Sequence, residues 1–421
     1  MKDLLFKNAR IIDPVRNVDA KGDLGVSGGV IVDASEVKNA DVFDLTGKVL
    51  TPGFIDVHVH LRQPGNSDAE TVATGGAAAA AGGFTSIVAM PNTKPPADTV
   101  GAIELLRNMA QKSPVKVLPC GNMTVGGQGE AMAGIGSLKE AGIVALSDDG
   151  RCVQNHGLMR HIVEYAKAFG LPILDHCEDV SLAAGGVMHE GKWSVLLGFN
   201  GIPAAAEELI IARNILLAKE SNWRIHMQHV STRGSVDILR FARKQGIPVT
   251  GEATPHHLTL TDECIKKFDT NYKMNPPLRS EDDRQALISG VADGTITVIA
   301  TDHAPHTETA KQVEFDHAPF GIIGLETAFA LCHTELVVKG VIDLPHLVRM
   351  MTAGPAEVLG WQDYSLRPGR PADLTIFDPA EEYTIDSSKF FSKSRNTPFN
   401  GRTVTGRIAM TVVDGKVVYQ K

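Results

Sequence analysis

Phe54-Ile55-Asp56-Val57-His58-Val59-His60-Leu61-Arg62 is the stretch whose reading decides the fold. Read with period 2 it is a strand too apolar to have one wet face, so it is expected to be buried on both sides, as parallel strands are. His58 and His60 stand two residues apart and project from the same face. Gln63-Pro64-Gly65 then closes the strand, which places both imidazoles at its C-terminal end beside a loop. Such a pair is either half of a metal site or two hydrogen-bonded core histidines, and the pair alone does not choose between them.

Working outward, compact apolar runs recur at 54–60, 84–90, 115–123, 143–149, 172–177, 224–230, 248–254 and 296–303. Stretches with helical periodicity lie between them, at 69–81, 100–111, 158–169, 204–220, 235–245 and 284–292. Eight strands alternating with helices predict an α/β fold, a (β/α)8 TIM barrel, with chemistry at the C-terminal ends of the strands. A doubly wound sheet is the alternative, but no Gly-x-Gly-x-x-Gly follows a strand. Residues 1–50 have a different texture, with short alternating runs such as Leu4-Leu5-Phe6 and Val42-Phe43-Asp44-Leu45 that read as short antiparallel strands. The texture returns at the end, where Asp414-Gly415 between two β-branched runs signals a hairpin. The expected organisation is therefore a small β-sandwich domain built from residues 1–50 and 363–421, with the barrel over 51–362 inserted between them.

Composition narrows the function. The chain has 421 residues, 43% of them hydrophobic and 21% charged, which suits a globular protein with a large core. A net charge of −8 without Lys/Arg runs argues against nucleic acid or an anionic membrane as partner. Cys120, Cys152, Cys177, Cys264 and Cys332 are odd in number and scattered, so a disulfide framework is not expected and a reducing, cytoplasmic location is.

The polar ends of the runs form a coherent set: His58, His60 and Arg62; Asn92; Asp148 and Asp149; His176; His229; Asp302 and His306. So many imidazoles and carboxylates in an apolar barrel mouth would be very costly unless they bound something. Neutral His and carboxylate are natural Zn2+ ligands, and four histidines plus carboxylates exceed the three protein ligands of a single catalytic zinc, which suggests two ions. A bridging carboxylate would hold them about 3.5–4 Å apart with a hydroxide between. Phase assigns His226 a structural role facing the helices, but it does not say which of Asp148 and Asp149 points inward. His156, His161, His189, His256, His257, His317, His333 and His346 fall in loops or helices and are expected to be mostly solvated or capping groups.

These stretches, together with Met90-Pro91-Asn92-Thr93, Asn275-Pro276-Pro277-Leu278-Arg279, Thr301-Asp302-His303-Ala304-Pro305-His306, Gly321-Ile322-Ile323-Gly324-Leu325-Glu326-Thr327 and Ser394-Arg395-Asn396-Thr397-Pro398-Phe399, resemble the dihydroorotases of the amidohydrolase superfamily over nearly the whole chain. The resemblance implies His58, His60 and Asp302 on one zinc, His176 and His229 on the other, and Asp149 bridging. It implies Arg62, Asn92 and His306 on the substrate carboxylate, Asn275 on the ring, a loop over 304–322 closing the site, and Asp302 as proton shuttle. The implied reaction is the reversible cyclisation of N-carbamoyl-L-aspartate to L-dihydroorotate in pyrimidine biosynthesis, by a homodimer or a partner of aspartate carbamoyltransferase. Gln63 departs from the family, which commonly has Glu there. Dihydropyrimidinases and hydantoinases share the architecture but generally bridge their metals with a carboxylated lysine. Residues 143–151 contain no lysine. A non-catalytic scaffold relative would be expected to have lost ligands that are all present here.

Overall fold

The computed structural model describes residues 2–421. Its centre is eight parallel strands, Phe54–Val59, Phe84–Ala89, Lys116–Gly121, Ala145–Leu146, Ile173–Asp175, Ile225–Met227, Val249–Ala253 and Val298–Ile299, hydrogen-bonded in sequence order. Closure comes from a parallel bridge between Val59 and His303, with His60 N–H donating to His303 O at 2.9 Å. Asp56 pins the same seam from inside: it is fully buried, and its carboxylate accepts from Thr301 N at 3.2 Å and Thr301 Oγ1 at 2.5 Å. The (β/α)8 barrel is therefore present.

The strands are shorter than the apolar runs that announced them, because the last residues of each run leave the ladder. Arg62 (φ 58°), His229 (φ 33°) and Asp302 (φ 47°) all turn through the left-handed region just past strand ends. A non-glycine residue there costs on the order of 1–2 kcal/mol, so the surrounding contacts must hold it. These turns swing polar side chains over the barrel mouth.

The helices appear as expected; three extend at their N-termini to good caps, while the first begins at Val72, three residues into its expected span, behind the cap Thr71. Asn155, Thr232 and Ser280 accept from backbone N–H groups ahead of His156–Ala168, Arg233–Lys244 and Glu281–Ala292. Among the helices that periodicity does not announce, Ile135–Ala141 joins the third and fourth strands; at seven residues it is too short for periodicity to reveal. After the eighth strand the chain adds Ala328–Cys332, Leu344–Met351 and Ala353–Leu359 before leaving the barrel.

The two chain ends form a single eight-stranded sheet. The expectation of antiparallel strands needs correction here. Asp3–Asp13 runs antiparallel to Val18–Ser27 but parallel to both Ala40–Asp44 and Val49–Pro52. Val49–Pro52 is flanked on its other side by Leu374–Thr384, which ties the C-terminal segment to the N-terminal one. Asp414 (φ 46°) and Gly415 (φ 75°) make the tight turn between Thr403–Val413 and Lys416–Gln420.

Sheet and barrel share a core where they meet. The Phe54 ring, with no exposed surface, lies 6.1 Å from Phe84, 5.5 Å from Phe329 and 6.3 Å from Phe377. Gly53 precedes it because a Cβ there would fall 2.1 Å from Thr85 Oγ1. Phe54→Ala should therefore cost about 3–5 kcal/mol. Urea denaturation followed by circular dichroism measures this, and a loss near zero would mean the ring cluster does not hold the junction.

Candidate metal centre

Six side chains from five separate segments meet at the rim. His58 Nε2 lies 3.2 Å from Asp149 Oδ1 and 3.4 Å from Asp302 Oδ1; His60 Nε2 lies 3.2 Å from Asp149 Oδ2 and 3.1 Å from Asp302 Oδ1. On the far side, His176 Nδ1 and His229 Nε2 stand 2.8 Å apart, at 3.8 and 3.9 Å from Asp149 Oδ1. His58, His60 and Asp302 form one group able to hold an ion, and His58, Asp149 and His229 form another that overlaps it. Asp149 thus presents one oxygen to His60 and the other toward His58, His176 and His229, as a bridging carboxylate would.

Asp149 rather than Asp148 faces inward because Asp148 is already engaged. Its Oδ1 accepts from Met123 N at 2.9 Å, Asn122 Nδ2 at 3.0 Å and Thr124 N at 3.3 Å, fastening the loop after the third strand. Sequence phase could not show this.

The donor set fits a small divalent cation. Tetrahedral donors about 2.0–2.2 Å from zinc stand roughly 3.3–3.6 Å from one another, close to the separations on the His58–His60 side. His58 Nε2 and Asp149 Oδ1 are buried with no hydrogen-bond partner among the described residues. Buried polar atoms of that kind are expensive unless something else satisfies them. Charge points the same way. Burial opposes charging His58, but Asp149, Asp302 and Glu252 outweigh it and hold the imidazole well above its usual range. For Asp149 burial is outweighed in turn by His58 and His60, which hold the carboxyl well below its usual range. Burial, then His176 and His58, press His229 down to about 3. The site thus favours positive charge at His58 and at His176, which Glu178 and Asp149 raise to about 9 against burial, and refuses a proton at His229.

Glu252 is the participant that the sequence reading passed over. It is fully buried on the seventh strand. Its Oε1 accepts from His58 Nδ1 at 2.7 Å and from His229 N–H at 3.0 Å, so one oxygen fixes a ring on one side of the centre and the backbone on the other. Its Oε2 pairs with His226 Nε2 at 2.9 Å, and His226 Nδ1 reaches Thr250 Oγ1 at 2.8 Å. His58 and His226, against burial, keep the Glu252 carboxyl at about 2. A signal existed: a charge inside the run 248–254 is anomalous in a strand buried on both faces. His256 and His257, expected to be solvated or capping, are also buried; His257 lies between Thr254 Oγ1 and Pro276 O because the loop after this strand folds inward.

The expected substrate groups are placed unequally. Arg62, Asn92 and Asn275 line a cavity of about 170 Å3 together with Asp149, Asp302, Phe320 and Gly321. Arg62 Nε donates to Pro305 O at 3.0 Å. Asn92 Oδ1 accepts from His60 Nδ1 at 3.0 Å, so this residue also orients a candidate ligand. His306 is not among the residues lining the cavity; its Nε2 donates to Phe320 O at 2.7 Å, behind Arg62. Gln63 faces elsewhere too, accepting from Val72 N at 3.0 Å at the start of the helix Val72–Ala81. Within the loop over 304–322, expected to close the site, Lys311 is buried and donates to Thr270 O, Lys273 O and Pro319 O at 2.8–3.1 Å. A larger groove, about 330 Å3 between barrel and sheet, is lined by two half-buried carboxyls, Glu326 and Asp386, and none of the clustered imidazoles.

A closed parallel barrel with this donor set at its mouth and a β-rich unit built from both chain ends defines a cyclic amidohydrolase. Solved structures share that architecture: L-hydantoinase from Arthrobacter aurescens superposes with a TM-score of 0.89 at 28% identity, covering 100% of this chain and 97% of that one. The dihydropyrimidinase from Brevibacillus agri gives 0.86 at 24% identity, over 99% and 95%. The family model described as Dihydro-orotase-like matches residues 47–235, and the one described as Amidohydrolase family matches 324–419. Dihydroorotase of Pelotomaculum thermopropionicum is 51% identical over 99% of this chain and 98% of its own length; that of Caldanaerobacter subterraneus is 47% identical over 99% and 97%. The chain belongs to the dihydroorotase family.

Glu252→Gln removes the charge that holds His58 Nδ1–H while preserving shape. Loss of such a partner typically weakens metal binding about 10–100-fold. Competition between the variant and a chromophoric chelator for Zn2+ should read that loss with the thermal midpoint little changed. Unchanged affinity would remove Glu252 from the centre.

Proposed function

We propose that this chain catalyses the reversible interconversion of N-carbamoyl-L-aspartate and L-dihydroorotate, with two Zn2+ ions held by His58, His60, Asp149, His176, His229 and Asp302. The supporting observation is that Arg62, a half-buried guanidinium whose Nη1 has no hydrogen-bond partner among the described residues, lines the same small cavity as Asp302 and the imidazoles. That juxtaposition suits a small cyclic amide carrying a free carboxylate.

Bound divalent cations would supply Lewis-acid polarisation of the scissile carbonyl and a water whose pKa is brought to about 7. The protein does the rest. Arg62 grips the substrate carboxylate with a planar fork that reads both of its oxygens. Its bond to Pro305 O fixes the guanidinium before substrate arrives. Asn92 offers the carboxylate its amide nitrogen, while its oxygen keeps the His60 ring in place. His306 stands behind Arg62, its Nε2 3.5 Å from Arg62 Nη2 and donating to Phe320 O.

Asp302 is the proton carrier. Its Oδ1 lies between His58 and His60, and Oδ2 has no protein partner among the described residues. In the hydrolytic direction Asp302 takes a proton from the attacking water and delivers it to the departing ring nitrogen. In ring closure it takes a proton from the carbamoyl nitrogen and returns it to the departing carboxylate oxygen, which takes a second proton from solvent to leave as water.

Dihydropyrimidinase-type activity on neutral rings is the competing assignment. A ring without a carboxylate leaves Arg62 unpaired in a buried site, so kcat/KM for dihydroorotate should exceed that for dihydrouracil or hydantoin by at least about 100-fold. Assays on metal-quantified protein decide this, and faster opening of the neutral rings would reverse the assignment. Asp302→Asn should lower kcat by about 100- to 10,000-fold with dihydroorotate binding largely kept. Residual turnover with binding lost would count against Asp302 as the carrier.

A further inference from the structure

Glu178 leaves the fifth barrel strand two residues after His176, and its Oε2 accepts from Asn275 Nδ2 at 2.9 Å. An ionised carboxylate only accepts, so the direction of this bond is set by chemistry: the amide nitrogen must point to Glu178 and the amide oxygen away from it. Asn275 lines the cavity, and its Oδ1 is buried without a hydrogen-bond partner among the described residues. With Nδ2 engaged, Oδ1 is the one side-chain atom that Asn275 has left for a ligand. Glu178 Oε1 lies 4.0 Å from His176 Nε2, so the same carboxylate borders the candidate metal centre.

We propose that Glu178 is a positioning residue that sets specificity by holding Asn275 with its oxygen toward the cavity, so that the site selects a substrate N–H at that point and disfavours a carbonyl. This rests on the dihydroorotate reading above. The ring nitrogen that is not cleaved keeps its hydrogen in both directions of that reaction, which makes it the constant donor for a fixed acceptor. A ring bearing oxygen at that position would set two acceptors against each other and be rejected.

The test exchanges the polarity of the pair. E178Q offers Asn275 both a donor and an acceptor, so the amide loses its enforced direction; KM for dihydroorotate should rise about 10-fold with kcat within about 3-fold. N275D sets two carboxylates together and should raise KM further, about 100-fold. E178Q/N275D restores a donor–acceptor pair in the opposite sense and again leaves an acceptor oxygen toward the cavity; KM should return to within about 3-fold of wild type. Metal content and thermal midpoint are measured on all four proteins. A double variant with full metal and a KM no lower than the single variants overturns the proposal, as does loss of metal from E178Q, which would place Glu178 in the service of His176. If N275D does not fold, E178Q alone decides. Wild type should prefer dihydroorotate over its ring-oxygen analogue about 100-fold, E178Q about 10-fold, and an unchanged preference overturns the proposal. Wild-type turnover of dihydroorotate tests the activity reading separately: without it both readings fall, and with it a failed exchange removes only this one.

Discussion

Three carboxylates, Asp149, Asp302 and Glu252, are buried within reach of His58, and this concentration of negative charge in an apolar barrel mouth is the constraint on which the rest depends. Left alone it would be strongly destabilising, since buried ions repay their desolvation only when geometry and hydrogen bonding are excellent. The chain meets the cost in layers. Imidazoles stand between the carboxylates, Glu252 spends both oxygens on neighbours, and the remaining unpartnered atoms converge where a cation would satisfy them. Asp148, one residue from Asp149, has a wholly different task as a loop fastener, so adjacent residues of one type serve stability and chemistry separately.

The same arrangement accounts for the backbone around it. Arg62, His229 and Asp302 each adopt left-handed φ at the close of a strand, a conformation that persists only when the surroundings dictate it. His229 is held by Glu252 through its N–H. Arg62 is held by Pro305 O on the loop that follows Asp302. Strain at the rim and hydrogen bonding at the rim are therefore one system, and the short ladders of the barrel strands are its visible result.

Much of this was legible in the residues. Compact apolar runs marked all eight barrel strands, because a strand buried on both faces has no other way to look, and the polar residues that end six of them marked the rim. Asp414-Gly415 marked its hairpin because few dipeptides tolerate that turn. What stayed hidden depended on distant partners. The inward turn of Asp149 follows from contacts between Asp148 and residues 122–124, which no local pattern encodes. The parallel pairing of Asp3–Asp13 with Val49–Pro52 is invisible in alternation, which is the same for either direction. The burial of Lys311 under three carbonyls is hidden in the same way, since two of them belong to Thr270 and Lys273 on a different loop. Resemblance to a known family supplied the ligand roles that phase alone left open.

The pairing of Val49–Pro52 between Asp3–Asp13 and Leu374–Thr384 has a consequence for how the molecule is made. On a ribosome, the strand that leads directly into Phe54–Val59 waits with one edge bare until more than three hundred further residues have been synthesised. His58 and His60 are thus among the first functional side chains to emerge, and the strand that anchors them is among the last to be completed. A chain released early would expose that edge to its neighbours, so premature termination in this architecture threatens aggregation as well as loss of activity.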